Sequence, residues 1–221
     1  MSQSIKNISN TALRNTVKTL RNGHITIRRA HPEDAEFFVD LVLLSAPTLF
    51  PDLYGAKVRT VLTYLFQRRK NLFSYQHVYF SALKGQKIGM ILGYDWKTEK
   101  RESLRTGFLL MRNMKLDFFH MLPNMIKAER AVDNLEKGEF YISNIATLSP
   151  HRCLGIGTKL IQKMESIAKE SGNTKLALVV EKDNLNAITF YKGLGFLVVR
   201  ETSFRPSIGN CIDFYKMCKP L

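Results

Sequence analysis

The stretch from Asn144 to Ile161, Asn-Ile-Ala-Thr-Leu-Ser-Pro-His-Arg-Cys-Leu-Gly-Ile-Gly-Thr-Lys-Leu-Ile, constrains this chain more than any other. Residues Glu139–Leu148 alternate as a strand. A short polar turn follows, and Arg152-x-x-Gly155-x-Gly157 opens a helix over Ile156–Ser171. Ile156, Leu160, Ile161, Met164, Ile167 and Ala168 recur at helical spacing, so one face of that helix is apolar, and Gly172 is its expected stop. The first N–H groups of a helix have no internal acceptors and lie at the positive end of its dipole. Glycines in such a turn clear side chains away from those donors, which makes it a cradle for a phosphate or pyrophosphate.

Two familiar phosphate-binding signatures fail. A P-loop needs Gly-Lys followed by Ser or Thr, and no Gly-Lys pair occurs in the chain. The dinucleotide fingerprint needs a third glycine or alanine three residues after Gly157, where Leu160 stands.

Elsewhere the pattern alternates between strands and helices. Ile25–Arg29 reads as a strand, and His31-Pro32-Glu33-Asp34 opens a helix with Pro and acids in its first turn. A second helical pattern covers Lys57–Arg69. Val78–Leu83 and Ile88–Tyr94 read as strands of a hairpin. Residues 95–138 are rich in Phe and Met with interleaved charge, consistent with helix, and Pro123 is expected to break or start one. Lys175–Glu181 is a buried strand. Asn184 caps a helix reaching Leu194, and Gly195 ends it. Strands near Phe196–Glu201 and Cys211–Met217 flank a loop at Arg205-Pro206. No linker or repeat divides the chain.

Downstream of the glycine turn a second pattern stands out: Asn184, Ala187, Tyr191, Gly195 and Phe196. Together the two motifs resemble the GNAT family of N-acetyltransferases, in which Arg/Gln-x-x-Gly-x-Gly/Ala is followed by a helix, a buried strand and Asn-x-x-Ala-x-x-x-Tyr-x-x-x-Gly-Phe. The resemblance covers residues 139–196, with Cys153 where the family often has Gly and Thr147 where Val is usual. It implies an α/β (α+β) fold: a mixed, mostly antiparallel twisted sheet of about seven strands flanked by helices. It further implies one acetyltransferase domain over residues 24–221, a basic extension over residues 1–23, and a helical insertion at about residues 95–138, expected to act as a lid over the amine pocket. The fourth and fifth strands of this fold splay apart.

By the same resemblance, acetyl-CoA is the cosubstrate and no metal is required. Its pantetheine would pair with Ile145, Ala146 and Thr147, its pyrophosphate would meet the backbone of Arg152, Cys153, Leu154, Gly155, Ile156, Gly157 and Thr158, and Asn184 and Ala187 would lie alongside. Tyr191 matches the tyrosine that returns a proton to the departing thiolate. The amine proton is expected to pass to Glu139, directly or through water, because strand alternation places Glu139 on one face with Tyr141, Ser143 and Ile145. His151 sits in the turn and is expected to face solvent.

Charge bears on partners. The formal net charge is +14. Residues 1–29 hold six basic residues and no acid, and residues 53–94 hold seven basic residues and no acid, so most of the excess lies outside the glycine turn. A nucleic-acid-associated acceptor therefore stays open beside a small-molecule or protein amine, although no RNA-binding signature accompanies the charge. A coenzyme-binding module without turnover also stays open. Cys153, Cys211 and Cys218 have no metal-like spacing and fit a reducing compartment. With no apolar run of about 18 residues, no membrane span is expected. The expectation is a cytoplasmic monomer or homodimer, with a basic tail or an accessory helix at Thr11–Leu20.

Overall fold

Side-chain chemistry at the element ends sets the frame. In the computed structural model, which describes residues 24–132, 135–205 and 211–221, Asp34 ties the first strand to the first helix. Its carboxylate accepts two 2.8 Å bonds from Arg28, one of 2.8 Å from Lys87, and one of 2.9 Å from the backbone N–H of His31. Burial works against this carboxylate, but the hydrogen bonds from Arg28 and Lys87 more than offset it and hold the group well below the usual carboxylate range.

The elements in chain order are β1 (Ile25–Arg29), α1 (Ala35–Ser45), α2 (Leu49–Tyr54), α3 (Val58–Phe66), β2 (Val78–Leu83), β3 (Gln86–Asp95), α4 (Trp96–Met114), α5 (Leu116–Val132), β4 (Glu139–Thr147), α6 (Ile156–Glu170), β5 (Lys175–Glu181), α7 (Leu185–Gly193), β6 (Leu197–Phe204) and β7 (Ile212–Pro220). The accessory helix expected at Thr11–Leu20, the rest of residues 1–23, and Pro206 of the late loop lie outside the described residues.

Seven strands form one sheet in the order β1-β2-β3-β4-β5-β7-β6. Every neighbouring pair is antiparallel except β4 and β5, which are parallel. The sheet is thus mixed and mostly antiparallel, as the motifs imply. One apolar layer lies between the sheet and the front helices, with Phe38, Leu62, Phe66, Met90 and Leu92 fully buried. The other lies under α6 and α7, with Leu160, Met164, Ile188 and Phe196 against Ile142 and Leu178.

The described residues of 95–138 hold two helices. Asp95 caps α4 by accepting a 2.7 Å bond from the N–H of Thr98. The corner between α4 and α5 falls at Lys115, whose φ is 55°. Pro123 lies inside α5 and does not break it, contrary to expectation. It removes the bond its N–H would make to the carbonyl of Phe119, a residue that is exposed, so the loss falls on the solvent side of the helix. The short α2 is a further difference: its six residues, including Pro51, are too few to carry a period.

Candidate active site

The site begins where β4 and β5 part. They pair only from Glu139–Lys175 to Ile142–Leu178. Beyond that, β4 stays hydrogen-bonded to β3 as far as Thr147, while its edge toward β5 is left without a strand partner. A cleft of about 1130 Å³ occupies this wedge. Its lining includes Ile145, Ala146 and Thr147 from β4 and Val179, Val180 and Glu181 from β5.

At one end the cleft meets the glycine turn. Arg152, Cys153, Gly155, Ile156, Gly157 and Thr158 all line it, whereas Leu154 packs its side chain into the back layer, leaving its backbone as the part available to a ligand. Cys153 and Gly155 have φ of 62° and 75°. Lys159 donates to Gly155 O at 3.1 Å, and no backbone carbonyl among the described residues accepts from the N–H groups of Cys153 to Thr158. These donors remain free for an anion.

The two glycines serve different ends. A Cβ on Gly155 would meet nothing within 4 Å, so the positive φ and the open cleft explain this residue. A Cβ on Gly157 would lie 2.9 Å from Phe190 Cζ, so this glycine lets α6 approach α7. Gly157→Ala therefore displaces the half-buried Phe190 ring at the cleft wall and is expected to weaken ligand binding, measured as a smaller rise in melting temperature on adding coenzyme A.

Asn184 Oδ1 caps α7 by accepting from Ala187 N–H at 3.1 Å, and both residues line the cleft. Tyr191 lines it too, with its ring 5.3 Å from Phe190 and 5.7 Å from Phe196. Burial pushes the Tyr191 phenol well above its ordinary pKa, so it keeps its proton throughout the neutral range. His151 is half-buried rather than solvent-facing. It lines the cleft, and its buried Nδ1 has no hydrogen-bond partner among the described residues.

Glu139 does not line the cleft, which takes it out of the role of base expected of it. Its side chain is 1% exposed and holds Lys216 Nζ at 2.9 Å and Lys175 Nζ at 3.2 Å. Cys218 Sγ lies 3.7 Å away, and burial, then the Glu139 charge, pushes that thiol up to about 11. The expected shared face fails as well. The β3–β4 register passes from Leu92–Asn144 to Gly93–Ile142, so Ser143 is a bulged residue. The extra residue reverses the alternation: Asn144 reaches Ser45 on α1 at 2.8 Å, while Ile145 packs with the back layer.

Several cleft residues carry no motif. Tyr94 and Tyr141 line it as an aromatic pair 5.8 Å apart. Glu181 lies at the end of β5, where burial and then the Asp183 charge raise its carboxyl pKa. The alternation of Ala177, Val179 and Glu181 along β5 is the sequence signal that marks it. The far wall comes from α2, α4 and α5, including Phe50, Leu53, Leu110, Phe118 and Met125.

The family model for the acetyltransferase (GNAT) family matches residues 51–196. The probable N-acetyltransferase san of Drosophila melanogaster is 40% identical over 70 residues, which are 31% of this chain and 38% of the fly protein's length. An N-alpha-acetyltransferase of Sulfurisphaera tokodaii is 28% identical over 198 residues, 88% of this chain and 92% of that protein. A solved acetyltransferase structure superposes with a TM-score of 0.64 at 23% identity, over 88% of this chain and 98% of the other, a likeness of fold. The chain spans well under half of the fly relative, yet the family model covers most of the chain, and the splayed strands and the open glycine turn lie within or beside the matched segment. The chain belongs to the GNAT family of acetyltransferases.

Proposed function

We propose that this chain transfers the acetyl group of acetyl-CoA to a primary amine by direct attack within a ternary complex. The observation that carries this reading is a single cleft holding three things together: the open β4 edge, the open donors of the glycine turn, and the buried phenol of Tyr191. Pantetheine would run along Ile145 to Thr147 as a substitute strand, and the pyrophosphate would sit on the N–H groups of Cys153 to Thr158. The unpartnered Nδ1 of His151 gives that end a further polar contact.

The chemistry then needs three groups. The neutral amine attacks the thioester carbonyl, and a backbone N–H on the splayed part of β4 receives the developing oxyanion. As the tetrahedral intermediate collapses, the C–S bond breaks and Tyr191 protonates the thiolate. The proton lost by the amine passes to Glu181, directly or through water. Glu181 fits because it lines the cleft and its carboxyl is raised towards neutrality. An N-terminal α-amine is the acceptor in keeping with the Sulfurisphaera relative.

Thiol release from acetyl-CoA, measured over a panel of free-amine peptides, lysine peptides with blocked N-termini and small amines, tests the reading. Absence of turnover with every acceptor, despite coenzyme binding, would leave only a binding module. Glu181→Gln adds a pH test. A carboxylate accepts a proton only when ionised, so activity should fall as pH drops through the raised Glu181 pKa. In Glu181→Gln that acid limb should vanish and turnover should fall at least about tenfold. Thermal stability at neutral pH should not fall, because ionised Glu181 is disfavoured by folding.

A further inference from the structure

The chemistry above uses the inner side of α4 and α5, where Ser103, Thr106, Leu110 and Met125 wall the cleft. Their outer side is different. Leu104 is 85% exposed and Leu116 78%, and Phe108, Met111 and Phe119 are exposed as well. They are five of the eleven large apolar side chains exposed among the described residues. On α4 they fall at i, i+4 and i+7, one face of a helix, and on α5 Leu116 and Phe119 stand at i and i+3. Soluble surfaces scatter such residues singly, so a cluster of them on both sides of the Lys115 corner calls for a partner.

Charge narrows what that partner is. The exposed residues of α4 include Lys97, Lys100, Arg101, Arg105 and Arg112, while its two acids turn inward: Glu99 lines the cleft and Glu102 is buried against His77 at 2.8 Å. A second copy of this chain carries the same net charge of +14, which opposes its approach at long range, and residues 1–29, with six basic residues and no acid, meet that face with like charge. The occupant must be anionic and must also take up leucine and phenylalanine. Nucleic acid supplies charge but nothing that suits Leu104 and Leu116. An anionic lipid surface supplies both, with headgroups for the guanidinium and ammonium groups and the acyl boundary for the apolar side chains. No single described helix is long and apolar enough to cross a membrane, so the geometry is that of helices lying on one.

We propose that the outer face of α4 and α5 docks this protein onto anionic membrane surfaces. Docking needs neither acetyl-CoA nor turnover, so it stands or falls separately from the acetyltransfer reading.

The experiment is sedimentation of the full chain with vesicles of phosphatidylcholine alone and of phosphatidylcholine containing phosphatidylserine. Binding is expected only to the anionic vesicles and should weaken with salt. Arg105→Glu with Arg112→Glu should lower the bound fraction by roughly tenfold or more, and so should Leu104→Ser with Phe108→Ser. All four positions are exposed, and an unchanged thermal melt confirms that each variant folds. Lys169→Glu with Lys192→Glu, the same charge change elsewhere on the surface, should retain most binding. Four outcomes overturn the proposal: no vesicle binding, equal binding to both vesicle types, equal loss in the control pair, or binding to an acidic polypeptide or RNA through these residues without vesicle binding.

Discussion

Glu139→Ala is expected to destabilise this protein by about 3–5 kcal/mol, a large share of the stability of a domain of this size. The reason lies in what the substitution leaves behind. The Lys216 side chain is 3% exposed, and its ammonium holds the Glu139 carboxylate at 2.9 Å. Without that carboxylate Lys216 loses its 2.9 Å ion pair in the interior, and Lys175 loses its 3.2 Å contact. Glu139 Oε2 further accepts the N–H of Glu136 at 2.8 Å, so the turn entering β4 loosens too. A urea unfolding series measures the loss. The double variant Glu139→Leu, Lys216→Met is the informative companion. A buried ion pair replaced by apolar groups of similar volume is often near neutral, so it should recover most of the stability. Once folded, it should turn over close to the wild-type rate, because neither residue lines the cleft. A base at position 139 predicts the reverse: normal stability in Glu139→Gln and a collapse of activity that no partner substitution restores.

The misplacement of Glu139 shows where sequence reasoning holds and where it stops. The glycine turn and α6 are legible because their determinants are local: a 3.6-residue period, Gly172 at the end, and glycines where φ or packing demands them. Asn184 is legible for the same reason, since a cap acts within three residues. The bulge at Ser143 is not local. It is set by pairing with β3, and a slip of one residue carries every later side chain to the other face. Strand alternation extended from Glu139 therefore assigns Ile145 to the wrong side. The same limit hides the Tyr94–Tyr141 pair, and although alternation along β5 assigns Glu181 a face, the relation of all three to the cleft depends on β4 and β5 parting after Ile142. Gly157 fails differently. Its motif was legible, but the reason nearest to hand, room for a ligand, gave way to the Phe190 ring, which belongs to a helix two elements later.

Tyr191→Phe is the second large expected effect: a fall in turnover of about 10²- to 10³-fold with little change in coenzyme affinity. The hydroxyl is the only group removed, and the phenylalanine ring keeps the contacts with Phe190 and Phe196, so the helix and the cleft wall should persist. Desolvation holds the phenol in its protonated form, which is the form a thiolate leaving group requires. If the proton is delivered as the C–S bond breaks, its loss is felt in the transition state and not in the bound coenzyme, so turnover falls and affinity does not. Coenzyme affinity by calorimetry and thiol release under saturating acetyl-CoA separate the two quantities. A thioester with a more acidic leaving thiol needs less protonation and should restore much of the lost rate in Tyr191→Phe while changing the wild-type rate little. Equal losses with both thioesters would mean that Tyr191 positions the coenzyme rather than protonating it, and the proton would then have to reach sulfur through water from the open side of the cleft.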